Sequence, residues 1–199
     1  EEIIRTAHDV GIPSTATIMY GHVDEPKHWA AHIALLREIQ KDTGGFTELV
    51  PLSFVHTDSP LFLNNPNSVR PGPTDHEVDL MHSVSRIMLN GFIDNIQVSW
   101  TKLGAERARN MLSLGVNDLG GTLMNESISR SAGSKHGQEI TAAELCEIIR
   151  SAGRIPVRRN TIYKTIDIYK DHDPIDVIPL VERKSDPLNF LKMFPETAE

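Results

Sequence analysis

Apolar positions along this chain fall into two alternating rhythms. Ile3, Ile4, Ala7 and Val10 recur at helical spacing, with Gly11 as the stop and Pro13 beyond it. Residues 14–20 are rich in β-branched side chains and predict a strand that ends at Gly21. Pro26 suits the first turn of a helix that runs to about Lys41, with Trp29, Ile33, Leu36 and Ile39 as its buried stripe and Gly44-Gly45 closing it. The order then repeats. Residues 46–54 are a short apolar run. After a Pro- and Asn-rich insertion, Thr74 and Glu77 form a capping-box pair for a helix whose apolar face is Val78, Met81, Val84 and Met88. Residues 95–100 read as a third strand, followed by a helix through Leu103, Arg107, Met111 and Leu114 that stops at Gly115. The stretch 116–121 contains a fourth strand. A last helix starts at Thr141, with Glu144 as its capping partner, and runs to Gly153.

Strands separated by helices rather than by tight hairpins indicate an α/β chain with a parallel sheet, and regular repetition favours part of a (β/α) barrel of about four strand-helix units. On that reading residues 1–170 are the barrel part and residues 171–199, which lack comparable periodicity, an irregular tail. Barrel active sites lie at the C-terminal strand ends, here Tyr20 to His22, Ser53 to His56, Ser99-Trp100 and Asp118 to Thr122.

A length of 199 residues allows one domain or part of a larger one. The net charge of −7 and the scattered Lys and Arg residues argue against nucleic acid, which calls for a basic stripe. No run approaches the length of apolar residues that a membrane span needs, and the acidic, helical N-terminus is unlike a signal peptide, so a cytoplasmic location is expected. The chain lacks an initiator Met and opens mid-pattern, which favours a fragment.

Candidate chemistry is concentrated at the strand ends. The single Cys146 rules out an internal disulfide framework and any cluster needing several thiolates from this chain, and among Leu145, Ile148 and Ile149 it reads as a small buried hydrophobe. His28 and His32, four apart on one helix, have a spacing that suits a divalent metal, but no carboxylate completes the set, and no metal is expected here. His22 and His56 follow strand ends and are better placed, either for substrate or as loop anchors. No G-x-S-x-G nucleophile context, dinucleotide fingerprint or P-loop is present. Gly120-Gly121 permits positive φ or close approach of a ligand, and a tight turn is the competing reading. The pair Asn117-Asp118 at a strand favours ligand contact.

The stretch MYGHVDEPKHWAAHIALLREIQKDTGGFTELVPLSFVH, followed by RPGPT, NIQVSWTKLG, NDLGGTLMNESISRSAGSKHG and VRRNTIY, resembles the C-terminal half of the deazaflavin (FO) synthase family. More narrowly, it is similar to the tyrosine 4-hydroxyphenyl transferase part of those radical S-adenosylmethionine (SAM) enzymes, over roughly residues 1–165. The resemblance implies a (β/α) barrel with a 4Fe-4S cluster that cleaves SAM to a 5'-deoxyadenosyl radical. That radical acts on L-tyrosine, whose hydroxybenzyl group is joined to 5-amino-6-(D-ribitylamino)uracil. The family's C-x-x-x-C-x-x-C motif is absent, so the cluster ligands are expected in the N-terminal half of the barrel, a partner this chain would need. The resemblance further implies substrate contacts at His22, His56, Gln97, Trp100, Asn117, Asp118 and Thr122, and it places Gly21, Asp24 and Glu25 in the stretch with which such barrels approach SAM or substrate; with Tyr20, Gly120 and Gly121, which stand at the same strand ends, these are the expected cofactor contacts. No catalytic residue is implied. Residues 123–137 read as a lid or connection, with Glu126, Arg130 and His136 as further contributors. The alternatives are a radical SAM enzyme of the menaquinone futalosine route, a cluster-less complementing or binding subunit, and a metal-dependent barrel hydrolase.

Overall fold

A computed structural model describes residues 1–123, 125–137 and 139–170 of the chain, and the expected tail at 171–199 lies outside the described residues. The chain runs from helix α1 (Glu2–Asp9) through strand β1 (Ser14–Tyr20), helix α2 (Pro26–Thr43) and strand β2 (Phe46–Ser53). Helices α3 (Pro60–Asn64), α4 (Asp75–Leu89), α5 (Trp100–Met111), α6 (Ile128–Ser131) and α7 (Ala142–Ser151) follow, and strands β3 (Val157–Arg159) and β4 (Thr165–Ile168) complete the order.

β1 and β2 pair in parallel, Thr15 opposite Glu48 and Tyr20 opposite Ser53. Parallel alignment continues beyond them by single bridges, Leu49 to Ile96 and Gln97 to Asp118. The backbone bonds Gln97 N to Leu49 O and Val98 N to Asp118 O, both at about 3 Å, carry that ladder. The third and fourth expected strands thus align where the sequence puts them but are much shorter, because Trp100 already opens α5 and Gly120 turns at φ 74°.

Burial alternates along β1: Ala16, Ile18 and Tyr20 face the helices while Thr15, Thr17 and Met19 do not. The inward set packs against Trp29, Ile33, Leu36 and Ile39 of α2 and Val78 and Met81 of α4, with Ile96 and Val98 from the third stretch. On the other face Met19 is 51% exposed, a large apolar side chain left uncovered at the β1 edge, whereas its β2 neighbours Glu48 and Val50 are buried. Among the described residues no helix is long and apolar enough to cross a membrane.

Local signals account for the helix ends. Both expected capping boxes form, Thr74 with Glu77 and Thr141 with Glu144, and Gly44 ends α2 in the left-handed conformation. A third box, Glu25 with His28, opens α2. The apolar faces are corrected in detail. Ile3 and Val10 are exposed on α1, where Ile4 and His8 turn inward, and Val84 is exposed on α4, where His82, Ser85 and Leu89 are buried. His8 tolerates burial because both ring nitrogens are bonded, to Thr43 and Ser14. The β3–β4 hairpin has no counterpart among the sequence-predicted elements. Its three- and four-residue strands are too short to show a rhythm, and its apolar residues Ile166 and Ile168 are exposed.

Candidate functional site

The loops after β1 and β2 are tied together at the strand ends. The Asp24 carboxylate accepts the N–H groups of Gly21 and His22 and the indole N–H of Trp29. Burial opposes its ionisation, but these donors outweigh burial and hold its carboxyl below the usual range. Gly21, at φ 91°, lies so close to Pro73 that a Cβ would stand 2.4 Å from the proline nitrogen. Arg70 N donates to His22 O at 2.9 Å, and Arg70 also pairs with Glu77. The RPGPT segment is therefore the clamp that fixes the β1 loop. Tyr20 is fully buried edge-on to Trp29, its hydroxyl without a partner and its pKa pushed up by burial. Glu25 caps α2. His22 lies edge-on to Phe54 and His56 to Phe62. The expected cofactor residues Tyr20, Gly21, Asp24 and Glu25 thus form one cluster in which Gly21, Asp24 and Glu25 bond to one another's loop or to a helix start.

A separate cleft of about 560 Å³ opens at the ends of the third and fourth parallel stretches. Gln97, Ser99 and Trp100 form one wall, Gly120 and Gly121 another, and Arg159 and Asn160 of the hairpin the third. Gly120 carries no Cβ because one would meet the Gln97 amide at 3.0 Å, and Trp100 Nε1 donates to Gly121 O at 3.3 Å. Four of the expected residues, Gln97, Trp100, Gly120 and Gly121, are thus brought together. Thr122 is exposed and outside the lining.

Asn117 and Asp118 part company although adjacent. Asn117 Oδ1 accepts from Arg86 at 2.7 Å and from Ile96 N at 2.8 Å, and its amide donates to Asp94 O, so the side chain staples the third and fourth stretches together. Asp118 turns to the opposite side. Its Oδ1 accepts Gly120 N–H at 2.6 Å and its Oδ2 accepts Arg159 Nε, which anchors the hairpin. Behind this pair stands Glu48, whose Oε1 accepts from Thr15 at 3.1 Å, and whose Oε2 lies 4.0 Å from Arg159. The Arg159 guanidinium lies 4.1 Å from the centroid of the Tyr163 ring, and Tyr163, at φ 61°, has its hydroxyl pushed up by burial and by the nearby Glu48. Asn160 builds the turn that sets Tyr163 there, its Oδ1 accepting from Ile162 N and Lys164 N. Sequence reasoning quoted VRRNTIY but gave Arg159 and Tyr163 no role. The signal was an Arg and a Tyr four residues apart around an Asn, readable only once the partner carboxylates were located.

The stretch 125–137 lies across the β2 loop. Gly133 is bare because a Cβ would strike Thr57 at 2.6 Å, and Asp58 N donates to Ala132 O. Glu126 caps α6 by accepting Ser129 N–H, and His136 packs against Gly104. Lys102 donates to Ser129 Oγ, with its pKa lowered by burial. These contacts bind the stretch to the strand-end side of the fold. Among the described residues no group of three or more His, Cys, Asp or Glu is placed to hold a metal ion. Instead His28 Nδ1 accepts from Glu25 N and His32 Nε2 pairs with Thr17 O.

The family model described as the CofH/MqnC C-terminal region matches residues 43–172. An FO synthase of Mycobacterium leprae is 56% identical over 162 residues, 81% of this chain and 18% of the relative. An FO synthase of Nocardia farcinica is 53% identical over 180 residues, 90% of this chain and 20% of the relative. A 5-amino-6-(D-ribitylamino)uracil--L-tyrosine 4-hydroxyphenyl transferase of Methanopyrus kandleri is 50% identical over 169 residues, 85% of this chain and 45% of the relative. The chain therefore spans less than half the length of each of these relatives. With the family region matched over most of its length, the chain belongs to the CofH/MqnC C-terminal family.

Proposed function

We propose that this chain is the C-terminal part of a radical SAM (β/α) barrel that joins the 4-hydroxybenzyl group of L-tyrosine to 5-amino-6-(D-ribitylamino)uracil. The observation that carries the reading is the identity of 50% and above to relatives named for that activity. The parallel alignment of four chain stretches, with α2 and α4 packed against the inward side chains of β1, supports a barrel that is completed by the N-terminal half. The same relatives favour this activity over the menaquinone futalosine alternative, and residues 1–170 are the barrel part in this reading.

The residues present do not fit a 4Fe-4S cluster. Cys146 is buried in α7, and burial raises its thiol pKa, the reverse of what a thiolate ligand needs. The cluster therefore belongs to another part of the enzyme, and no step here runs through it. Of the expected cofactor contacts, Gly21, Asp24 and Glu25 build the β1 loop that would border SAM, while Gly120 and Gly121 belong to the substrate wall instead. This chain's own part is substrate positioning. Gln97, Trp100, Gly120 and Gly121 form the wall that receives substrate, Asp118 sets the Gly120 amide, and His22 and His56 stand on neighbouring loops at the same strand ends.

The experiment is to express the full-length enzyme, reconstitute its cluster anaerobically, supply SAM, L-tyrosine and the diaminouracil, and follow the condensed product by mass spectrometry. SAM cleavage without condensed product would refute the reading. A Gln97→Ala variant should keep SAM cleavage and lose condensed product by about tenfold or more, since a hydrogen bond to substrate is removed.

A further inference from the structure

The floor of the cleft carries a charge arrangement that selects its ligand, an inference that rests on the substrate-positioning role above. Among the described residues lining the cleft, Arg159 alone is ionisable. Its positive charge is already committed: Nε donates to Asp118, one terminal nitrogen donates to Asn160 O at 3.2 Å, and the other faces Glu48 at 4.0 Å. Both carboxylates are nearly enclosed, their side chains 9% and 12% exposed, against 24% for Arg159. The Tyr163 hydroxyl stands beside Glu48, an uncharged neighbour that leaves the carboxylate's charge uncompensated. Two buried carboxylates thus share one guanidinium, and the excess is negative.

An anion entering this cleft would find no uncommitted cation. It would also add to a negative excess in a setting where burial weakens screening. Removing Arg159 from Asp118 to serve it would leave a buried carboxylate unpaired, which costs far more than a new surface pair returns. The rest of the lining offers amide and hydroxyl groups, from Gln97, Ser99, Thr101 and Asn160, with backbone at Gly120 and Gly121. Those groups satisfy uncharged donors and acceptors.

We propose that the cleft takes an uncharged, hydrogen-bonding heterocycle or polyol and discriminates against carboxylate and phosphate groups, with Arg159 acting as a positioning residue locked between Asp118 and Glu48. Of the two substrates in the proposed reaction, the cleft is then the seat of the pyrimidine and not of the amino acid's carboxylate. The unassigned part of the VRRNTIY motif gains its reason: Asn160 builds the turn, Tyr163 supports the guanidinium from behind, and Arg159 neutralises the floor without offering a free charge.

The test uses the full-length enzyme and two nucleosides, uridine and orotidine, which differ by one ring carboxylate. Each is measured as a competitor of the diaminouracil and, independently, by calorimetry. The unmutated enzyme should favour uridine by at least about tenfold, a discrimination built from one repelled charge. Asp118→Asn removes a neutralising charge and should bring the ratio to unity or invert it. Arg159→Gln leaves the carboxylates uncompensated and should widen it. A general loss of packing would lower both affinities and leave the ratio fixed, so a constant ratio across the variants overturns the proposal. So does a preference of the unmutated enzyme for orotidine, or failure of both nucleosides to compete while the diaminouracil is still consumed. Absence of condensed product from tyrosine and the diaminouracil would instead remove the proposed reaction, and the calorimetric ratio would still decide the charge preference.

Discussion

Replacing Gly21 with Ala tests whether the clamp between the β1 loop and the RPGPT segment is what holds the strand ends. Gly21 sits at φ 91°, where an L side chain costs about 1–2 kcal/mol. The new Cβ would stand 2.4 Å from both the nitrogen and Cδ of Pro73, a rigid ring and backbone that cannot swing aside. Relieving that overlap means parting the two loops, at an overpacking cost of about 1–3 kcal/mol. Parting them also breaks the 2.9 Å bond from Arg70 N to His22 O. That loss adds about 1 kcal/mol. Stiffening of the unfolded chain returns somewhat less than 1 kcal/mol, so the net loss should be about 2–5 kcal/mol. Gly11 supplies the control, since it has φ 82° but nothing within 4 Å of a built Cβ. Gly11→Ala should cost only the backbone part, about 1 kcal/mol. Urea unfolding followed by tryptophan fluorescence is suited to the comparison, because Trp29 bonds to Asp24 within the loop. Hydrogen exchange at the Arg70 amide reads the broken bond directly. If the two variants agree within about half a kcal/mol and Arg70 stays protected, Pro73 is not a wall and the clamp is not what orders the loop.

Other outcomes are expected on the same grounds. His82 is fully buried, and burial lowers its pKa from 6.5 although its Nδ1 bonds to Val78 O. Its neutral form is therefore the folded one, and stability should fall as pH drops below about 6.5, by at most about 1.4 kcal/mol per unit; His82→Phe should flatten that slope, and an unchanged slope would exclude His82 as its source. Arg86 donates to Gly115 O, Asp94 O and Asn117 Oδ1, so Arg86→Met should cost about 2–4 kcal/mol in urea unfolding, and a loss below about 0.5 kcal/mol would show that the staple is not needed. Cys146 should react with iodoacetamide at pH 8 much more slowly in the folded chain than in urea, because burial raises its thiol pKa. Reconstituted with iron and sulfide, the isolated chain should show no 4Fe-4S absorption and no SAM cleavage, having one cysteine, and a stable cluster signal would overturn the assignment of the cluster to another part of the enzyme.

The helices were legible because their signals are local. Pro26, the Thr74–Glu77 and Thr141–Glu144 boxes and Gly44 act within a turn or two of chain, and the stripe from Trp29 to Ile39 states which side is buried. Parallel order was legible too, since helices must carry the crossovers. Extent was not: the third stretch is joined to each neighbour by a single bridge, and the fourth holds one, since strand length depends on what neighbours pair along it. Faces that a few residues share with polar partners, such as His8 and His82, also escaped a reading in which only apolar side chains count as buried. At the site, the sequence by itself marked where polar groups gather, and Gln97, Trp100, Gly120 and Gly121 do meet in one cleft. Only the tertiary structure decided that Asn117 and Asp118 point to opposite sides, one to Arg86 and one to Arg159. Alternation along an extended chain says that neighbours diverge, but not which partner waits on either side. Thr15, Glu48, Asp118, Arg159 and Tyr163 span nearly 150 residues of sequence and become one charged cluster through long-range contacts, for which no local pattern exists.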